Sequence, residues 1–418
     1  MRSILSRSGF MAQSSIFLVL SVLAAALNYA LYPAIARVLG PANFGDFTTV
    51  LALSNQILGI LLAFNLTSIY LVKNNAEEAA LESAQSIQKV LIWLFVGLTI
   101  AVTVISPFIN HGLKLSSPYS LIVLTVMLIV AVPAVMWTGY LQGHKKLGAV
   151  GIYSVSSSLF KFVLALAFAK IWGVNGGLLG VLVGTIGGII VLYVFAGVKL
   201  PSISSVFVKL TKSDRVFLKS MRLYIIGSVI VVGIMSILQN IDILFAKSFF
   251  PPSEAGVYTG ISIISNALYY VSFLMVWVLL PQVSPHDSAR NKKLLLYAYS
   301  ILAALGVVAI TVAAFFGKNI ITLLLGEKFA VQADLLVYAS IFQMLLVSTT
   351  LYVYYLLVLR SSRALVLASC AFVFVVTFGF VFGTSLRELI ISLDWALLCG
   401  IAFYCIISQV MRISHNAK

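Results

Sequence analysis

The sequence predicts an all-α integral membrane protein of about twelve transmembrane helices, arranged as two pseudo-symmetric six-helix bundles around a central cavity. Three observations predict it: composition, the alternation of basic loops along the chain, and an internal repeat at half its length. Of 418 residues, 61% are apolar and 9% charged, and the mean hydropathy is +1.09. Soluble domains carry about 25% charged residues, so a soluble globular enzyme is excluded. A crossing needs roughly 20 apolar residues, and with loops about 35 residues per crossing gives about twelve. The formal net charge of +15 would suggest nucleic acid only on a polar surface. In a membrane protein it is first a topology signal, and no nucleic-acid partner is expected.

The chain opens with Arg2 and Arg7, as a signal peptide does, but its apolar run extends without a charge from Ser8 to Ala36. A signal h-region spans only about 7–15 residues, so this run is the first crossing. Charge-poor windows follow at 47–72, 90–110, 118–141, 148–171, 174–197, 222–249, 255–281, 294–316, 334–358, 364–384 and 389–411. They are continuously apolar rather than alternating, which selects helices over a barrel. Spans five and six are parted only by Gly173-Val174-Asn175-Gly176-Gly177. The 73–89 segment, with Glu77, Glu78 and Glu82, reads as a short polar helix on the inner side. The longest connection mixes Val206, Phe207, Leu210, Val216 and Phe217 with lysines and should lie along the inner membrane surface. The organisation is therefore a bundle over 1–198, an amphipathic linker over 199–221 and a bundle over 222–418. No GxxxxGK[ST] phosphate loop is present, so the chain does not hydrolyse its own ATP.

Nineteen of the 27 Lys and Arg residues fall at the termini and in the loops sharing their side, against six in the opposite loops. That split places both termini in the cytoplasm of a multi-pass inner-membrane protein. Cys370, Cys399 and Cys405 lie in apolar runs and read as inert thiols. The four histidines (His111, His144, His286, His415) are scattered, so no metal site is expected.

The segment Pro41-Ala-Asn-Phe-Gly45-Asp-Phe47-Thr48, with Asn55, and the segment Pro252-Ser-Glu-Ala-Gly256-Val-Tyr258-Thr259, with Asn266, share one pattern, P-x3-G-x-[FY]-T-x6-N, 211 residues apart. At that offset Asn28 falls on Gln239, both polar within apolar helices. Six spans separate the copies, so the halves share one orientation about an axis along the membrane normal. Bundles related in this way rock about a cavity to alternate access.

The run Ala36-Arg37-Val-Leu-Gly40-Pro41-Ala-Asn-Phe44-Gly45 resembles the polysaccharide exporter family, the O-antigen and teichoic-acid lipid flippases of the multidrug/oligosaccharidyl-lipid/polysaccharide (MOP) superfamily. Leu141-Gln142-Gly143 with Lys145 and Lys146, the Gly173–Gly177 turn, and Asn240-Ile241-Asp242 with Ala255-Gly256-Val257-Tyr258 resemble the same family. The stretch from Leu386-Arg387-Glu388 to Asp394, read as the last loop, lacks the Gly-rich turn found after span five. The peptidoglycan-precursor branch typically has fourteen spans and several arginines in the first bundle, neither of which is present here. The resemblance implies a MOP/MATE-like fold. It also implies, as substrate, an undecaprenyl-diphosphate-linked oligosaccharide moved from the inner to the outer leaflet of a bacterial or archaeal membrane. Glycosyltransferases or a glycan polymerase would then be neighbours of the pathway. Nothing in the sequence marks an obligate dimer, and a monomer is the simplest expectation.

A charge at the bilayer centre costs at least about 2.5–3.5 kcal/mol, so each one needs a reason. Lys161 lies past the midplane of span five, Asp242 and Lys247 in the outer part of span seven, and Arg37 at the end of span one. Asp242 and Lys247 are about 140° apart around a helix and poorly placed to neutralise each other. The candidate substrate contacts are Arg37, Lys161, Lys247, Asn28 and Gln239. Asp242 is a further lining residue able to hold a coupling cation or proton, and no cofactor is otherwise expected. The bland alternatives are snorkelling for Arg37 and Lys247 and a structural ion pair for Lys161 with Asp242. A MATE-like drug exporter is the competing function, but would need an anionic cavity. A membrane glycan polymerase or glycosyltransferase, with Asp46 as its base, is opposed by the short outer loops.

Overall fold

The computed structural model describes residues 2–74, 77–196, 227, 230–279, 283, 287–359 and 361–416. These residues are helical nearly throughout: α1 Arg2–Asn74, α2 Glu77–Gly112, α3 Tyr119–Gly143, α4 Leu147–Phe195, α5 Ile230–Leu238, α6 Ile241–Phe249, α7 Pro252–Leu279, α8 Ser288–Leu325, α9 Leu335–Val358, α10 Arg363–Phe382 and α11 Leu386–Asn416. A 3-10 turn, Glu327–Gln332, joins α8 to α9. The chain divides into two compact units, Met1–Arg222 and Leu223–Lys418. The expected amphipathic linker over 199–221 lies outside the described residues.

Two helices are too long for one crossing. At about 1.5 Å per residue, the 73 residues of α1 and the 49 of α4 far exceed a hydrocarbon core of about 30 Å. Each is broken where the sequence allows it. In α1 the break is Gly40, at φ 70° and ψ 171°, followed by Pro41, whose fixed φ suits the first position of a new helix. In α4 it is Trp172 and Gly173, the glycine at φ 60° and ψ −137°, a conformation a Cβ would oppose. Among the described residues, eight helices are long and apolar enough to cross a membrane, and the α5–α6 pair makes a ninth. With α1 and α4 counted as two limbs each, and 28-residue α7 added, the expected twelve crossings are reached. The protein is a multi-pass membrane protein, and its surface agrees: Val104, Phe108, Phe315, Leu323 and Phe380 are all exposed, as membrane-facing helices require.

Packing within the first unit follows the alternation expected of successive crossings. Gly151 lies against Phe17 and Leu20, and Ser158 meets Asn28, so the first limbs of α1 and α4 run parallel. Gly139 lies against Asn65 and Ser68, and Gly143 against Val72, so the second limb of α1 is parallel to α3. The two limbs of α4 form an antiparallel hairpin closed by glycines. Gly176, Gly180, Gly184 and Gly188 meet Phe168, Ala165, Lys161 and Ser157 in turn, at or near their backbone atoms. Small residues at every turn let two helices approach this closely. In the second unit, Gly306 faces Met344 and Gly317 faces Leu336, pairing α8 with α9. Gly400 faces Ala371, pairing α10 with α11.

Three sequence expectations are corrected. The acidic stretch containing Glu77, Glu78 and Glu82 is not a separate helix; it is the opening of α2, whose first turn places Glu77 and Glu78 at the positive end of the helix dipole. Span seven is not one helix, since α5 and α6 meet at a 53° bend. The last loop does not reach Asp394, because α11 begins at Leu386.

Candidate functional site: buried charges in each bundle

The bend of span seven falls at Gln239 and Asn240, where two polar side chains interrupt the apolar run. Asp242 therefore sits in the first turn of α6, where the helix dipole favours a negative group. It is 1% exposed. Oδ2 accepts hydrogen bonds from Tyr258 Oη at 2.7 Å and Ser262 Oγ at 2.6 Å, the short distances of charge-assisted bonds. Oδ1 has no hydrogen-bond partner of good geometry, with the backbone N–H of Ile243 close by. Tyr258 also feels a second carboxylate, Asp394 of α11, itself buried and with an unpartnered Oδ1. Asp242, Tyr258 and Ser262 thus form one hydrogen-bonded cluster inside the second unit, with Asp394 a further buried carboxylate of the same unit. Lys247, on the same short helix as Asp242, is 0% exposed. Its position is a correction: a lysine this deeply enclosed does not snorkel. Gln239 is half-buried beside the bend, its amide nitrogen buried without a hydrogen-bond partner.

The sequence reading does not assign Asp394, Tyr258 or Ser262 to the site. Asp394 was hidden by Arg387 and Glu388, which made its surroundings read as loop. Tyr258 and Ser262 carried a usable signal: with Asn266 they recur every four residues, one polar stripe along α7.

The candidate contacts of the first unit are basic and neutral. Asn28 donates to Ser158 Oγ at 2.8 Å. Ser158 lies one turn before Lys161 on α4, so Asn28 and Lys161 share a neighbourhood. Lys161 is half-buried, its backbone backed by Gly184. Arg37 is exposed. Nine residues beyond Asn28, it lies about half a turn around a regular helix, so it does not join this pair. Asp46 is 3% exposed and accepts the backbone N–H of Ser116 at 2.9 Å. It ties the α1 break to the α2–α3 connection, a structural task that its burial suits better than that of an exposed catalytic base. Among the described residues no group of three or more His, Cys, Asp or Glu is placed to hold a metal, and the three cysteines are free.

The repeat is visible in atoms. Thr48 Oγ1 donates to Phe44 O at 2.8 Å, and Thr259 Oγ1 donates to Ala255 O at 2.6 Å, the same bond at positions 211 apart. At that offset Asp242, Tyr258 and Ser262 fall on Leu31, Phe47 and Leu51, all buried.

This architecture defines a class: a multi-pass membrane protein with the fold of MOP-superfamily transporters. A lipid II flippase MurJ in an inward closed conformation superposes with a TM-score of 0.70 at 12% identity, covering 94% of this chain and 87% of that one. An inward-facing multidrug resistance MATE family transporter gives 0.66 at 14% identity, covering 94% and 98%. A MOP-superfamily transporter from Pyrococcus furiosus, described as having reversed polarity of its binding pocket, gives 0.56 at 15% identity, covering 97% of both. The chain itself belongs to the polysaccharide biosynthesis protein family, whose model matches residues 11–286. No curated protein matches it.

Proposed function

We propose that the protein is a flippase that moves a polyprenyl-diphosphate-linked oligosaccharide, of O-antigen, capsular or teichoic type, from the inner to the outer leaflet by alternating access. Membership of the polysaccharide biosynthesis family carries this reading, because polysaccharide building blocks are made on lipid carriers and must change leaflet without covalent chemistry. The residues supply a division of labour. Lys161 and Arg37, with Asn28, offer cationic and amide donors to a diphosphate and its first sugars. Asp242 and Asp394 offer carboxylate oxygens to a coupling proton or cation, since a buried carboxylate is satisfied by taking one up. Gln239 stands at the bend that carries Asp242, and Lys247 lies further along the same short helix. The bent helix beside them matches the way discontinuous spans serve transporter binding sites. The proposed setting is the cell membrane with both termini cytoplasmic, next to the enzymes that build and consume the lipid-linked glycan.

The second reading is a MATE-like cation-coupled exporter of small molecules, favoured by the acidic cluster of the second unit. Reconstitution separates the two. Vesicles containing purified protein and a labelled polyprenyl-diphosphate oligosaccharide should expose the sugar to an outside lectin at least tenfold faster than empty vesicles. No acceleration, together with export of a cationic dye, would establish the exporter instead.

A further inference from the structure

At one end of the second unit, three connections meet around a cavity of about 300 Å³ that none of the transport residues lines. The α6–α7 turn contributes Phe250 and Glu254, the end of the 3-10 turn Gln332 and Asp334, and the α10–α11 turn Thr384, Ser385 and Arg387. By the alternation of crossings this is the end opposite the basic loops, where a translocated head group would arrive. We infer that it is a binding site for a neutral or amino-bearing sugar unit of the glycan; that occupant rests on the flippase reading.

The chemistry of the lining selects the ligand. Sugar rings present closely spaced hydroxyls that both donate and accept, and apolar C–H faces between them. Here Glu254 and Asp334 accept, Arg387 donates, and Gln332, Thr384 and Ser385 do both. Gln332 Oε1 is buried without a hydrogen-bond partner, a cost a ligand hydroxyl would relieve. Ser385 Oγ accepts the backbone N–H of Glu388 at 3.2 Å, leaving its own proton free to donate. Phe250, Leu335 and Leu386 provide apolar wall. Arg387 is held in place: Nη2 donates to Tyr338 Oη at 3.0 Å, and the guanidinium lies 5.5 Å from that ring's centroid. The volume is at the small end for ligand pockets, about 300–1,000 Å³, which suits one or two sugar rings. Charge decides the remaining choice. Two carboxylates against one guanidinium disfavour a phosphate or uronate and admit neutral or amino sugars.

The test uses the full-length protein in lipid nanodiscs and saturation-transfer NMR with maltotriose, chitotriose, galactosamine and trigalacturonic acid as probes. At least one neutral or amino probe should receive saturation at least fivefold above trigalacturonate. The signal should fall at least fivefold in both Arg387→Ala and Glu254→Gln, whose side chains are exposed and spare the fold. Equal signals in wild type and both variants, strongest binding of trigalacturonate, no probe bound, or displacement of the sugars by calcium chloride would each overturn the site. Binding is read without transport, so a sugar signal in a protein that does not flip lipid refutes the flippase reading alone. Flipping with no sugar signal refutes only this pocket.

Discussion

The two bundles share a sequence repeat and differ in the polar groups they bury at matching positions. Both carry a helix break before a Pro-x3-Gly segment, at Gly40 in the first and at Phe250 in the second, and a threonine bonded four residues back. Yet where the second bundle buries Asp242, Tyr258 and Ser262, the first buries Leu31, Phe47 and Leu51. The first bundle in turn places Lys161 beside an amide and a hydroxyl. Shape was retained because helix packing depends on it. Polarity differs, because a hydrogen-bonded carboxylate and apolar side chains can both occupy a buried position. The proposed division of labour gives the anion to the first bundle and the coupling cation to the second.

The comparison can be broken first at the scaffold. Gly180→Leu in the α4 hairpin should abolish folded protein, because its side chain would enter the backbone of Ala165 and the limbs cannot separate cheaply. Monodisperse elution at wild-type yield would show that the hairpin is looser than described. Next comes the division of charge. Lys161→Ala should lower flipping of the lipid-linked glycan at least tenfold with unchanged membrane levels, since the residue is half-buried and its removal leaves no void. Asp242→Asn should instead remove the dependence of transport on an imposed ion gradient. If the two variants showed the same phenotype, the assignment of anion and cation to separate bundles would be wrong.

A reciprocal exchange sharpens the point. Tyr258→Phe deletes one donor to Asp242 and should cost about 1–3 kcal/mol, the price of under-satisfying a buried polar group. Phe47→Tyr should cost a similar amount for the opposite reason, placing a hydroxyl at a fully buried position packed against Gly177. Thermal unfolding in detergent would measure both, and a stabilised Phe47→Tyr would mean the first site already holds a polar partner. The smallest effect is expected from Thr48→Val and Thr259→Val. Each removes a local side chain to backbone bond worth about 0.5–1.5 kcal/mol. Unequal losses would indicate that the copies differ in more than polarity.

Much of this was legible in the sequence. Hydropathy windows located the crossings, because continuous apolarity is a strong signal in a chain with so few charges. The repeat was legible because a proline, a glycine, a threonine and an asparagine recurred at one spacing. The bend at Gln239 and Asn240 was not, since the flanking windows stay apolar and only the three-dimensional course shows the helix stopping. Asp394 was misplaced because one-dimensional reading counts charges near a turn as loop. The run from Gly173 to Gly177 reads as a turn, but only Gly173 does that work. The others lie along the second limb at helical spacing, and what they permit is contact, which a sequence does not display. Asp242 was the opposite case: an acidic residue in an apolar run is conspicuous, although its partners on α7 were not.

The hairpin of α4 has a mechanical meaning beyond its packing. Two rods pressed backbone to backbone along several turns bend as one beam, far stiffer than either rod alone. The backbone of Lys161 is mounted on that beam, against Gly184, so the residue is carried at a fixed point of the crossing, not on a helix free to flex. The same glycines that bring the limbs together thus fix where along the crossing the backbone of Lys161 sits.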